Sequence, residues 1–128
     1  MTPGDVEACD ALCREMYKVS RQQEVESAPR IGFNPLLRER GGQLRGYVVP
    51  GIIGHAVAET EDDMLALLAE AARAWALPAP LKMLCPLTEG SLFRRALAQG
   101  HRLTKMMNLM TLGPYEAPEG VWMPSVLY

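Results

Sequence analysis

From Val6 to Tyr17 the apolar residues fall at steps of three and four: Val6, Cys9, Leu12, Cys13, Met16 and Tyr17. That spacing predicts a helix with one buried face. Its start is written in Thr2-Pro3-Gly4-Asp5, with a hydroxyl to cap, proline at the first helical position and a carboxylate at the third. The polar stretch "SRQQEVES" predicts a further helical turn or two, ended by Pro29 and Gly32. In "PLLRERGGQLRGYVV" two strand-like runs meet at Gly41-Gly42, which predicts a hairpin. "GIIGHAVAE", after a turn at Pro50-Gly51, predicts a third extended run. Thr60 then caps a helix, with Asp63 as its reciprocal partner. Met64, Leu65, Leu67, Leu68, Ala71 and Trp75 form the buried stripe of that helix, and Pro78 and Pro80 close it.

Further on, "LKMLC" predicts a short apolar strand entering the core. Thr88 or Ser91 starts another helix carrying Leu92, Phe93, Ala96 and Leu97, and Gly100 sits where a left-handed C-terminal residue belongs. "RLTKMMNLMTLG" predicts a strand, and "EGVWMPSVLY" is an apolar tail. The order is helix, helix, three strands, helix, strand, helix, strand. It predicts an α/β (α+β) domain over residues 1–128, with a mixed sheet whose antiparallel part comes first.

Composition narrows the function classes. The 128 residues are 48% apolar and 22% charged, as in an ordinary globular domain. A net charge of −2 gives no general attraction to nucleic acid or anionic membrane. No basic face with interleaved aromatics suggests RNA or DNA. No apolar run approaches the roughly 20 residues that span a bilayer. "MTPGDVEACD" lacks a basic region followed by an apolar stretch, so no secretory signal is read and a cytoplasmic location is expected. Cys9, Cys13 and Cys85 have no paired metal-ligand spacing. Cys9 and Cys13 read as buried small hydrophobes, so no metal site is expected. Cys85, before Pro86, reads as a buried thiol or, alternatively, as a reactive one at a strand end.

The element order and local wording resemble the GNAT superfamily of acyl-CoA-dependent acyltransferases. "DVEACDALCREMY" looks like its first helix, "LLRERGGQLRGYVV" like its central hairpin, and "SLFRRALAQGHRL" like its last helix and Gly-aromatic step, with Gly100-His101 in place of Gly-Phe. "GHAVAETEDDMLALL" and "MPSVLY" look closest to the C-terminal half of bacterial proteins built from two such domains in tandem. Members normally begin with a strand before the first helix, and here only "MT" precedes that helix. That strand is missing, or a preceding domain supplies the edge.

The resemblance implies acetyl-CoA as cofactor and N-acetyl transfer as reaction, and it places the pyrophosphate on the loop after the fourth strand. Active members carry Arg or Gln, two residues, Gly, one residue, then Gly or Ala there. The corresponding stretch here is "ETEDDM", without glycine or basic residue. Carboxylates at a helix start stabilise the helix by roughly 0.3–1 kcal/mol each. They also repel a pyrophosphate, by about 3 kcal/mol per charge at ~6 Å and an effective dielectric near 20. The turn is therefore expected to cap a helix and to hold no phosphate. The tyrosine that protonates the leaving thiolate in many members is replaced by Ala96, and the asparagine seven residues before it by Glu89.

By the same resemblance, Val57 and Ala58 lie where the pantetheine arm would run, and His55 and Glu59 are the candidates for work on an acceptor amine. For both of these a polar strand end facing solvent is the plainer reading. Arg94 and Arg95 read as a solvated helix face, with an anion site as the alternative, His101 as a polar substitute for the aromatic, and Met106, Met107 and Met110 as core filling. The tail, with Pro118 and Pro124 keeping it out of a helix, must lie against its own domain or another chain. It is expected, with the open sheet edge, to meet a second GNAT-like domain or a second copy. The expected function is that of the cofactor-poor half of an acetyl-CoA-dependent acyltransferase, not binding acetyl-CoA alone. A stand-alone, non-catalytic GNAT-like binding module is the alternative, and an active enzyme with an altered cofactor grip is a third.

Overall fold

A computed structural model describes residues 2–51, 54–75, 80–88 and 90–126. Helix α1 spans Pro3–Tyr17 and opens with a full capping box: Thr2 accepts from the Asp5 amide and the Asp5 carboxylate takes the Thr2 amide proton. Lys18, left-handed at φ 62°, closes it. A short α2, Gln22–Ser27, follows and runs into a 3-10 turn over Ala28–Ile31 that stops at Gly32. The junction between α1 and α2 is pinned by the buried Asp10 carboxylate, which accepts from Arg14 Nε (2.7 Å), Ser20 Oγ (2.6 Å) and the Arg21 amide (3.1 Å).

Strands β1 (Leu36–Arg40) and β2 (Gln43–Val48) form the hairpin, turning at Gly41 and Gly42 with φ 64° and 73°. Two positive φ values in sequence are what a two-residue turn matched to strand twist requires. β3, Ala56–Ala58, pairs antiparallel with β2, and β4, Val121–Met123, pairs antiparallel with β3. Two glycines allow β2 and β3 to approach, Gly54 in their corner and Gly46 opposite Ala58 in the ladder. A Cβ on Gly54 would lie 2.2 Å from the Val49 carbonyl oxygen, and one on Gly46 would lie 2.9 Å from Ala58 Cβ. Helix α3, Glu61–Ala74, and α4, Ser91–Ala98, complete the regular elements among the described residues.

The sheet order is β1-β2-β3-β4, and its two faces carry separate cores. Tyr47, Val57 and Trp122 point to α1 and α2, where they meet Val6, Cys9 and Leu12. Val48, Ala56, Ala58 and Met123 point the other way, to Leu65, Leu68 and Leu92 of α3 and α4. The alternation is the period-two geometry of strands covered on both faces. The molecule is therefore α+β, a sheet between two helical layers.

Several expectations are corrected here. The sheet is antiparallel throughout the described residues rather than mixed. "LKMLC" forms no strand, because the position beside β3 that it would fill is taken by β4. Leu81, Met83 and Cys85 instead rest part-buried on the α3 and α4 side. "RLTKMMNLMTLG" has no regular structure, and Met106, Met107 and Met110 are exposed rather than core-filling. Of the two placements open to the tail, its own domain receives part of it: Trp122 and Met123 are buried, Trp122 edge-on to Tyr17 at 5.4 Å between ring centres. Trp75 and Phe93 are half-buried and Leu97 is exposed. Ile52, Ile53, Pro78, Glu89, Leu127 and Tyr128 lie outside the described residues.

Candidate functional site

The start of α3 is the anion-attracting end of a helix that follows directly on a buried strand. Thr60 caps it with extended backbone, its Oγ1 accepting from the Asp63 amide at 3.1 Å. The reciprocal bond differs from the expected one: the Thr60 hydroxyl, not its amide, donates to Asp63 Oδ2 at 2.6 Å. The Asp63 carboxylate is drawn aside by Arg38 Nε at 3.3 Å and Arg40 Nη2 at 3.6 Å, both from β1. Its neighbours are held in the same way. Glu61 accepts from Arg95 Nη1 at 2.9 Å and Ser91 Oγ at 3.0 Å, and Asp62 pairs with the same arginine. Both oxygens of Glu59 lie 2.8–2.9 Å from Arg45 Nη1.

Each of the four carboxylates in "ETEDDM" thus has a guanidinium of its own chain. The turn is close to neutral, and net repulsion is not what distinguishes it. Occupation is. The Asp63 amide goes to Thr60 Oγ1 and the Met64 amide to the Thr60 carbonyl. The two remaining first-turn amides, of Glu61 and Asp62, belong to the residues tied to Arg95. Asp63 is buried, which raises a carboxyl pKa, but the Thr60 and Arg38 hydrogen bonds and the Arg40 and Arg38 charges outweigh that and hold it below its ordinary value. For Glu61 the Arg95 bond dominates with the same sign.

The second polar cluster lies between α1, α2 and the sheet. His55 is fully buried. Its Nε2 lies 2.7 Å from the Tyr47 hydroxyl, and its Nδ1 lies 3.1 Å from Glu24 Oε2 without hydrogen-bond alignment. A carboxylate only accepts, so Nδ1 carries the proton facing Glu24, and Nε2 accepts from Tyr47. Arg21 Nη1 meets Glu24 at 3.2 Å. Burial holds the His55 pKa below 6.5, against the opposing pull of Glu24, and pushes the Tyr47 phenol well above its usual range. Burial also pushes Cys9 up to about 12 and raises Cys13, which faces Tyr47. Burial thus keeps Tyr47, Cys9 and Cys13 protonated and His55 neutral, which suits a structural network better than proton transfer near neutral pH.

The candidates are thus dispersed. His55 faces the α1 core rather than solvent, while Glu59 is exposed and engaged by Arg45. Val57 and Ala58 are buried in β3 with β2 on one edge and β4 on the other. Cys85 is half-buried, its thiol raised by burial and the nearby Glu61 charge, and it donates weakly to the Pro86 carbonyl. His101 is exposed. Arg94 is exposed, whereas Arg95 meets anions of its own chain, Glu61 and Asp62. Arg38, Arg40, Arg45 and Glu24 were not singled out by the sequence, since their partners lie across the hairpin or on other elements. Among the described residues no group of three or more His, Cys, Asp or Glu could hold a metal ion, and no helix is long and apolar enough to cross a membrane. No family model, curated protein or solved structure matches the chain.

Proposed function

We propose that this chain is a GNAT-related domain that has given up the cofactor grip and assists an acetyl-CoA-dependent N-acyltransferase domain as a non-catalytic partner. The observation that carries the reading is the arginine-tied turn at the start of α3. In an acyl-CoA enzyme that helix start faces the pyrophosphate with free amides. Here Thr60 takes the Asp63 and Met64 amides, and the carboxylates of Glu61, Asp62 and Asp63 crowd the turn, neutralised from within the chain by Arg95, Arg38 and Arg40. The engaged edges of β3 support the same reading, since a pantetheine arm would need one of them. A stand-alone interaction module is the second reading, favoured by the exposed apolar segment before β4.

Isothermal titration of the chain with acetyl-CoA tests the proposal. The expected dissociation constant is weaker than about 1 mM, a binding free energy no more favourable than roughly −4 kcal/mol. A micromolar isotherm with one site per chain contradicts the proposal and restores the enzyme reading.

A further inference from the structure

Between His101, whose amide donates to the Ala96 carbonyl, and Glu119, whose amide donates to the Met16 carbonyl, the chain makes no backbone–backbone hydrogen bond among the described residues. Within that stretch Leu103, Met106, Met107, Leu109, Met110 and Leu112 are all exposed, Met110 at 84% and Leu112 completely. Backbone amides and carbonyls seek partners, and monomeric proteins rarely expose apolar patches larger than a few hundred Å². Scaled to whole side chains, these six residues and Tyr115 expose roughly 900 Å², about the 800 Å² that each member of a stable complex buries.

The pattern identifies the structure this segment completes. Leu103, Met107 and Leu109 share one parity, and Met106, Met110 and Leu112 the other. Apolar residues in both parities mark a strand covered on both faces. Among the described residues no strand lies beside β4 on the side away from β3, and that edge is a position of this kind. Trp122 there faces the α1 core, and Met123 and Val121 face the α3 and α4 core, so a strand added alongside would extend both. β1, the other edge, ends in the exposed Arg38, Glu39 and Arg40 and offers no such surface. Residues 113–120 separate the segment from β4 and contain Pro114 and Pro118. Hairpin loops are usually two to five residues, and the fixed proline φ angles oppose a tight return to the segment's own β4.

We propose that residues 102–112 form an exchanged strand that pairs with the free edge of β4 in a second copy of this chain. Each copy gives one strand and receives one, so the contact closes as a two-fold dimer and does not propagate. The strand and its receiving edge lie on the same chain, which makes the surface self-complementary. The inference stands independently of the acyltransferase reading.

The test is sedimentation equilibrium of the full chain beside hydrogen exchange of its amides. The chain is expected to be a dimer at micromolar concentration, with protected amides in 103–112 and in the β4 positions not bonded to β3. Leu109→Lys combined with Met110→Lys changes side chains that are exposed in a single copy, so the variant should stay a folded monomer with its helical circular dichroism and one cooperative melting transition, lowered by the loss of association. It should weaken the dimer at least about 100-fold, as two charges in an apolar contact require, and lose the protection. A wild-type monomer at every concentration overturns the proposal. So does a monomer with protected 103–112 amides, which would place the strand on its own β4, or a dimer that survives the double substitution.

Discussion

Asp63→Asn isolates the charge at the centre of the acidic turn. The substitution keeps side-chain volume, the Asp63 amide bond to Thr60 and an oxygen for the Thr60 hydroxyl. What it removes is the negative charge facing Arg38 and Arg40, and it sets an amide donor toward those cations. Breaking a wholly buried ion pair costs 3–5 kcal/mol. Here the carboxylate is buried at 1% exposure, but Arg38 and Arg40 are 44% and 56% exposed and rehydrate when released. Each pair is therefore discounted to the exposed-pair range, up to about 1 kcal/mol, and the unpaired amide adds about 1 kcal/mol. The expected loss is about 2–3 kcal/mol at neutral pH, a fall of about 8 °C in Tm. The sign with pH follows from the depressed carboxyl. Its contribution is fully present above the ordinary value of 3.8 and is lost as pH falls through the lower folded value. Urea unfolding of both proteins, from about pH 6 down to about pH 3, should show the gap narrowing with acid. A gap below about 0.5 kcal/mol at neutral pH, within the range of ordinary surface changes, would mean that Arg38 and Arg40 do not stabilise the buried carboxylate, as would a gap indifferent to acid.

Gly54→Ala should destabilise the chain by about 3 kcal/mol, at the upper end for forced overpacking, because the new Cβ meets the Val49 carbonyl oxygen at 2.2 Å; denaturant midpoints measure it, and a loss under about 1 kcal/mol would mean that the corner is open. His55, whose burial lowers its pKa, refuses a proton that the unfolded chain accepts. Stability should therefore decline as pH falls below 6.5, and a pH series of unfolding midpoints for His55→Gln should lack that decline.

The starts of α1 and α3 were legible because caps are local: Thr2 and Thr60 each act on a residue three positions on, and the Gly41-Gly42 turn of the hairpin is as local. The α1 stripe was legible for the same reason, and all six of its apolar members are buried. Strands were less legible, since a strand is completed by a partner that its own residues do not name. "LKMLC" and "RLTKMMNLMTLG" have strand composition and no ladder, whereas Val121–Met123, in a tail with two prolines, takes the position beside β3. At the acidic turn the negative charge was plain, but its answer was not. Arg38 and Asp63 stand 25 residues apart, and Arg95 and Glu61 34 apart, with no periodicity to connect them. His55 was misjudged as solvent-facing because Tyr47 reaches it only once the β2–β3 corner is folded.

The start of α3 has its Asp63 and Met64 amides capped by Thr60 and its carboxylates tied to arginines of the same chain, and the proposed function stands on that arrangement. Amide NMR of the chain, titrated with pyrophosphate to about 10 mM and beside a variant carrying Glu61→Gln, Asp62→Asn and Asp63→Asn, addresses it directly. No saturable shift is expected at residues 60–64 in the natural sequence, and a site should open in the variant as Arg38, Arg40 and Arg95 are released. Saturation of those amides below about 1 mM in the natural sequence would contradict the proposed function.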